Sequence, residues 1–284
     1  MLQKVIRKSM IIRPSGRSTD YISPSFGHGC LFNCGYCYMK RHKPEGLTIA
    51  TNVMDILTEI NNHVMFADAV KPNQTHEKFI TYDISCNEDF ALHARYYDWK
   101  SIFEFFRKHD RAMASLATKY VNKRFLEFNP EGKVRIRFSL MPESYSQVLE
   151  PKTSPIIDRI KAIDTFINAG YDVHINFSPV IVTAGWLEKY RELFTLVHQN
   201  VLNKDKVKAE VIFLTHNEQK HKHNLALGLQ GEHLLWRPEL QEPKVSEYGG
   251  NNIRYKSNLK SQYIKQWTDL HDEIIPWNTI RYIF

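Results

Sequence analysis

Long apolar runs are missing from this chain of 284 residues. No stretch approaches the roughly 20 residues that a bilayer-spanning helix needs, so no membrane segment is expected. The N-terminus, MLQKVIRKSMIIRPSGRS, is basic but has no apolar core followed by a small-residue cleavage site. No signal peptide is read there, and a cytoplasmic location is expected. Cysteine is scarce, with four residues in all, three of them crowded between positions 30 and 37. That count and spacing exclude a disulfide framework. Internal repeats, low-complexity tracts and a clear interdomain linker are absent too. Nothing in the composition suggests disorder, because hydrophobic residues make up 43% and aromatics 12%, enough for a sizeable core.

What is abundant is positive charge. The net charge is +7, and the first fifty residues are the most lopsided. Lys4, Arg7, Lys8, Arg13, Arg17, Lys40, Arg41 and Lys43 face only Asp20 and Glu45 there. Such a surface suits a polyanion such as nucleic acid, and a solvated basic face is the equal alternative.

The patterning alternates. β-rich runs fall near 20–26, 78–85, 111–117, 133–139, 171–178 and 207–214, with helical periodicity at 51–65, 98–108, 154–169 and 185–199 between them. Alternation of this kind implies a parallel sheet. Six such units predict an α/β fold, a partial (β/α)6 TIM-like barrel over residues 1–215, whose sites lie at the C-terminal strand ends. From about residue 216 the rhythm changes: His, Pro and Asn become frequent, and Tyr248-Gly249-Gly250-Asn251-Asn252 between short runs predicts a hairpin. A final helix near 258–274 and a strand at 279–283 follow. Residues 216–284 are read as an extension packed on the barrel that does not fold independently.

The chemistry is concentrated in the loop 27–38, where Cys30, Cys34 and Cys37 form a C-x3-C-x2-C run. One short loop with this spacing can wrap three irons of a [4Fe–4S] cubane and leave the fourth open. Gly27, Gly29 and Gly35 permit the turns that such a wrap needs. Zinc is the rival occupant and would take His28 or His42 as a fourth ligand. Buried core cysteines are the third reading.

C-x3-C-x2-C followed by an aromatic resembles the signature of the radical S-adenosylmethionine (SAM) superfamily. Membership implies a [4Fe–4S] cluster at Cys30, Cys34 and Cys37, SAM on the open iron, a flavodoxin or ferredoxin as electron donor, and a 5′-deoxyadenosyl radical. With one cysteine left over, an enzyme of that superfamily carrying auxiliary clusters is not expected, and neither is a cobalamin domain.

A narrower resemblance follows from further blocks. Cys34-Gly35-Tyr36-Cys37-Tyr38 resembles the C-x-Y-C-Y core of the spore photoproduct lyase family. Asp83-Ile84-Ser85-Cys86-Asn87-Glu88-Asp89 is similar to its segment around a hydrogen-donating cysteine. Thr118-Lys119-Tyr120 and Arg135-Ile136-Arg137-Phe138-Ser139 resemble segments whose lysine and serine lie near SAM, and the stretch from Pro179 to Phe194 matches a strand–helix unit. Together the blocks are collinear over about 20–284. Two departures stand out. The chain begins close to its cluster motif, so much of the family's N-terminal extension is expected to be missing. Where the family has an Arg-Tyr wedge on a C-terminal hairpin, this chain reads Glu247-Tyr248.

The resemblance implies that Cys86 donates hydrogen, that Tyr36 and Tyr38 pass the resulting radical on, and that Lys119 and Ser139 contact SAM. It implies further that Tyr248, with basic Lys40 and Arg41, engages UV-damaged DNA carrying a thymine photoproduct. A monomer is expected. Each residue has an ordinary alternative: a buried structural thiol for Cys86, packing beside the cluster for the tyrosines, a solvated helix-start residue for Lys119, a strand residue bonded to backbone for Ser139, and a surface aromatic for Tyr248. Two rival functions remain at this point: a radical SAM enzyme modifying another pyrimidine in DNA, RNA or a nucleotide, and a non-enzymatic zinc- or cluster-containing nucleic-acid-binding protein.

Overall fold

The structure is a computed structural model describing residues 2–39, 46–67, 71–73, 75–245 and 251–284. In chain order its strands and helices are β1 (Leu2–Val5), β2 (Arg13–Pro14), β3 (Tyr21–Ile22), β4 (Gly27–His28), β5 (Leu47–Ala50), α1 (Val53–Phe66), β6 (Ile80–Asp83), α2 (Phe90–His93), α3 (Trp99–Lys108), β7 (Ala112–Thr118) and β8 (Val134–Leu140). There follow α4 (Glu143–Leu149), α5 (Ile156–Asn168), β9 (Asp172–Val180), α6 (Trp186–Asn200), β10 (Lys208–Phe213), β11 (Thr215–His216), α7 (Glu218–Ala226), α8 (Glu232–Leu235), β12 (Gln241–Val245), β13 (Asn251–Tyr255), α9 (Ser257–Ile274) and β14 (Thr279–Ile283). The fold is α/β. Among the described residues no helix is long and apolar enough to cross a membrane.

The chain divides into two compact units. The first comprises Met1–Leu31, His42–Phe138 and Ala162–His174. In it β3, β6, β7 and β8 pair in parallel and in chain order, with β2 antiparallel on β3. β7 and β8 are buried almost throughout, as strands covered on both faces must be. The run expected at 20–26 shortens to two strand residues. Ser23 still donates its N–H to Asp83 O (3.1 Å), but Pro24 has no N–H and ends the ladder. Helix α3 starts where Asp98 accepts from Ser101 N–H, and buries Trp99, Ile102, Phe103 and Phe106 along one stripe. Two arginines in the buried strand β8 are neutralised: Arg135 Nε by Asp172 (2.7 Å) and Arg137 Nη2 by Asp83 (2.7 Å). Burial alone would raise the Asp172 carboxyl, but His174 and Arg135 outweigh it and hold the group well below the usual carboxylate range.

The second unit comprises Phe32–Arg41, Ser139–Lys161 and Ile175–Phe284. There β14 pairs in parallel with β10. The rings of Phe177, Phe194, Trp267 and His271 pack together, joining β9, α6 and α9. The change of rhythm after 216 is real: two helices, α7 and α8, precede an antiparallel sheet in which β13 lies between β11 and β12. The expected hairpin is β12–β13, closing from Gln241↔Tyr255 to Val245↔Asn251.

Candidate active site

In the first unit the approach to Cys30 is set by the segment after β6. Gly29 N–H donates to Asn87 O (3.0 Å), and Asn87 Nδ2 to Ser25 Oγ (2.6 Å). Leu31 N–H donates to His93 Nε2 (3.3 Å), which leaves Nδ1 to carry the proton toward Glu88 Oε2 at 2.8 Å. Tyr97 O–H donates to the same carboxylate at 2.7 and 2.8 Å. Burial raises the Glu88 carboxyl, an effect opposed by His93 and Tyr97. Only glycine fits at position 27, because a Cβ there would lie 2.3 Å from Tyr97 Oη and 2.4 Å from Glu88 Oε2. Gly29 adopts φ 109°, a conformation natural only to glycine.

The acidic residues around Cys86 are structural. Asp83 pairs with Arg137 and accepts from Ser85 N–H (2.8 Å). Asp89 caps α2 and also accepts from Thr118 Oγ1 (2.7 Å) and Lys119 N–H (2.9 Å). Ser85 Oγ accepts from Ala117 N–H at 3.0 Å. Half-buried Cys86 therefore sits in a fixed turn just past the C-terminal end of β6, and Lys119 just past the end of its parallel neighbour β7.

In the second unit Cys34 is buried, Cys37 half-buried, and Tyr38 is 39% exposed. Tyr36 donates its hydroxyl to Glu150 Oε1. Burial, and then the Glu150 carboxylate, push that phenol well above its ordinary value. Glu150 Oε2 accepts from Arg159 Nη1 (2.8 Å) and Ser146 Oγ (3.1 Å). Arg159 Nη1 also donates to Ser139 O (2.8 Å), so a fully buried ion pair ties the backbone at Ser139 to the hydroxyl of Tyr36. The Gly35–Tyr36 turn is held as well: Gly35 N–H donates to Leu149 O (2.9 Å), Asn224 Nδ2 to Gly35 O (2.8 Å) and Lys220 Nζ to Tyr36 O (3.2 Å). Asn224 also reaches Glu232 Oε2 (2.6 Å), whose Oε1 meets His216 Nε2 and His221 Nδ1, both at 2.7 Å. Burial would raise Glu232, but His216, Asn224 and His221 lower it, while desolvation lowers His216.

Lys40, Arg41 and Tyr248, with Glu247, lie outside the described residues. Sequence reasoning missed His93, Tyr97, Glu150, Arg159, Lys220, Asn224 and the His216–Glu232–His221 group. Only the density of His and Asn after 216 signalled the last of these.

None of the four cysteines is in a disulfide. The donor set fits an iron–sulfur group: three thiols outside any disulfide, with no carboxylate or imidazole in the C-x3-C-x2-C run itself, and glycine where the loop has a positive φ. Fold and loop define the class: an α/β protein of parallel βα units carrying an N-terminal three-cysteine loop of the radical SAM type. The family model described as Spore photoproduct lyase matches residues 2–284, and the chain belongs to the spore photoproduct lyase family. Among curated relatives it is 28% identical over 193 residues to a spore photoproduct lyase of Bacillus subtilis (strain 168), covering 66% of this chain and 54% of the relative. It is 26% identical over 194 residues to one of Geobacillus sp. (strain Y412MC61), with the same coverage. The chain thus spans about half the length of the curated relatives it matches. A solved spore photoproduct lyase complexed with dinucleoside spore photoproduct matches the fold with TM-score 0.89 at 19% identity, over 100% of this chain and 82% of that one. A mutant with bound AdoMet and dinucleoside spore photoproduct gives TM-score 0.88 at 18% identity, with the same coverage.

Proposed function

We propose that this chain is a radical SAM carbon–carbon lyase that repairs a thymine–thymine photoproduct in DNA. The observation that carries the reading is local. Cys30 and Cys86 each neighbour one end of the Gly29–Asn87 backbone hydrogen bond (3.0 Å), so a candidate cluster ligand and the candidate hydrogen donor share one fixed structure. Cys30, Cys34 and Cys37 hold a [4Fe–4S] cluster, and Lys119 and Ser139 contact SAM. When bound, cluster and SAM supply a carbon radical that takes hydrogen from C6 of the photoproduct. The methylene bridge of the substrate then breaks by β-scission. Cys86 Sγ–H gives its hydrogen atom to the thymine methyl radical, and Tyr36 and Tyr38 are phenols able to return a hydrogen atom to the thiyl left behind. Tyr38 is exposed enough to exchange with what enters the site, whereas Tyr36 is locked on Glu150.

The parallel strands belong to a partial (β/α)6 barrel, with the hairpin and α9 as a C-terminal extension from 216. A lesion that stacks poorly costs little to extrude into such a barrel mouth. Lys40 and Arg41 meet flanking phosphates, and Tyr248 stands at the wedge. A flavodoxin or ferredoxin supplies electrons to a cytoplasmic monomer. Glu247 before Tyr248 favours one second reading, another pyrimidine in DNA or RNA as substrate. The test is anaerobic incubation of reconstituted protein with SAM, dithionite and photoproduct-containing DNA, followed by nucleoside mass spectrometry. Recovered thymine is expected. SAM cleavage with the photoproduct left intact would favour the second reading, and no iron uptake would refute both.

A further inference from the structure

Cys34 and Cys37 are separated only by Gly35 and Tyr36, and both intervening carbonyls are claimed by one helix. Asn224 Nδ2 takes Gly35 O at 2.8 Å and Lys220 Nζ takes Tyr36 O at 3.2 Å. The two side chains stand four residues apart, hence on one face of α7, and both are buried. The amide of Asn224 has a fixed orientation, since both of its partners, Gly35 O and Glu232 Oε2 (2.6 Å), are acceptors. Glu232 is immobilised in turn. His216 and His221 both meet its Oε1 at 2.7 Å, and His221 stacks on Trp236 with centroids 4.4 Å apart and planes 12° from parallel. These contacts form a closed set, from two imidazoles through one carboxylate and one amide to the cysteine turn.

We propose that Asn224, Lys220 and Glu232 are positioning residues for the Cys34–Cys37 turn, fixing the direction in which the two thiolates are presented. The proposal rests on the reading of Cys34 and Cys37 as cluster ligands. Two imidazoles and a carboxylate also make a familiar metal-ligand set, and their donor atoms lie within 4.8 Å of one another. The distances favour hydrogen bonds. Tetrahedral ligands at about 2.0–2.1 Å from zinc stand roughly 3.3 Å apart, whereas the contacts on Glu232 are 2.7 Å.

Groups that orient ligands through hydrogen bonds change metal retention by roughly 10–100-fold when removed. The test uses the full chain, reconstituted without oxygen, and follows iron loss to a chelator alongside the cluster's midpoint potential. The control is Asn278→Ala, which removes an equally buried amide bonded to a carbonyl elsewhere in the same unit, Val207 O at 2.8 Å. Asn224→Ala is expected to lose iron roughly 10-fold faster than Asn278→Ala. Lys220→Met is expected to shift the potential to more negative values, because the ammonium beside the turn favours the reduced, more negative cluster. Should Asn224→Ala fail to fold, His221→Phe keeps the stack on Trp236, loses the bond to Glu232, and is expected to release iron faster than Asn278→Ala. Iron loss at the control rate in the folded variants, or a potential unmoved in Lys220→Met, overturns the proposal. So does one zinc per chain bound beside the iron and lost in His221→Phe. Failure of the unaltered chain to take up iron would instead overturn the cluster reading beneath it.

Discussion

Arg159→Met removes the cation of the buried pair on which Tyr36 depends. Glu150 and Arg159 have side chains with 0% exposure, so their 2.8 Å contact is shielded from bulk solvent. Arg159 also donates to Ser154 O (2.8 Å), Ser139 O (2.8 Å) and Thr153 Oγ1 (2.6 Å), so its loss strands a carboxylate and two carbonyls together. Breaking a buried pair in this way costs about 3–5 kcal/mol, chiefly because the remaining charge is uncompensated. The double variant Arg159→Met with Glu150→Gln removes that charge too, and should regain a large part of the loss, because the carbonyl oxygen of neutral Gln can still accept from Tyr36 while its amide donates to Ser146 Oγ. Urea unfolding followed by circular dichroism gives both numbers, provided that the slope of stability against denaturant is unchanged. A cost below about 1 kcal/mol for the single variant would refute the argument, since it would mean that water screens the pair as it does surface pairs. A double variant less stable than the single would refute it from the other side.

Other consequences can be measured separately. Cys30→Ala, Cys34→Ala and Cys37→Ala should each abolish SAM cleavage, while the unaltered chain takes up about four irons; stoichiometric zinc without iron uptake would contradict this. DNA binding should weaken with salt, and Lys40→Ala with Arg41→Ala should lower the slope of log affinity against log salt by roughly one per lost phosphate contact. An unchanged slope would mark a merely solvated face. Asp172 is held below its ordinary range when folded, so its contribution to stability is present above the ordinary carboxylate range and is lost as pH falls through and below it. Asp172→Asn should therefore flatten the acid limb of a stability–pH profile, and an unchanged limb would contradict the assignment.

The alternation of strand and helix was legible because it depends on periodicity: β7, β8 and α3 fall within about two residues of where the apolar pattern puts them. The short strand β3 was over-read, because the apolar pattern continues past Pro24 whereas the ladder does not. The C-x3-C-x2-C loop was legible as chemistry, since three cysteines within eight residues have few other uses. Its supports were not. Glu88 and His93 act through side-chain geometry that local pattern does not encode, and Glu150 and Asn224 meet the loop from more than a hundred residues away, with Arg159 and Glu232 behind them. The acidic residues flanking Cys86 were legible only as a motif. The structure gives them separate tasks: Asp83 neutralises Arg137, Glu88 holds His93 and Tyr97, and Asp89 ties α2 to the end of β7.

Cys86→Ala with product analysis tests the central claim most directly. The substitution lies outside the cluster loop, and half-buried Cys86 sits in a turn held by Asp83, Ser85 and Asp89, so the fold and iron content should survive. SAM cleavage and hydrogen abstraction from the photoproduct should continue in the anaerobic assay with dithionite. Alanine has no hydrogen weak enough to donate, so the thymine methyl radical should be trapped by the external reductant, and nucleoside mass spectrometry should find an adduct in place of one thymine. Normal thymine at the rate and yield of the unaltered chain would contradict the account and leave Cys86 a structural thiol.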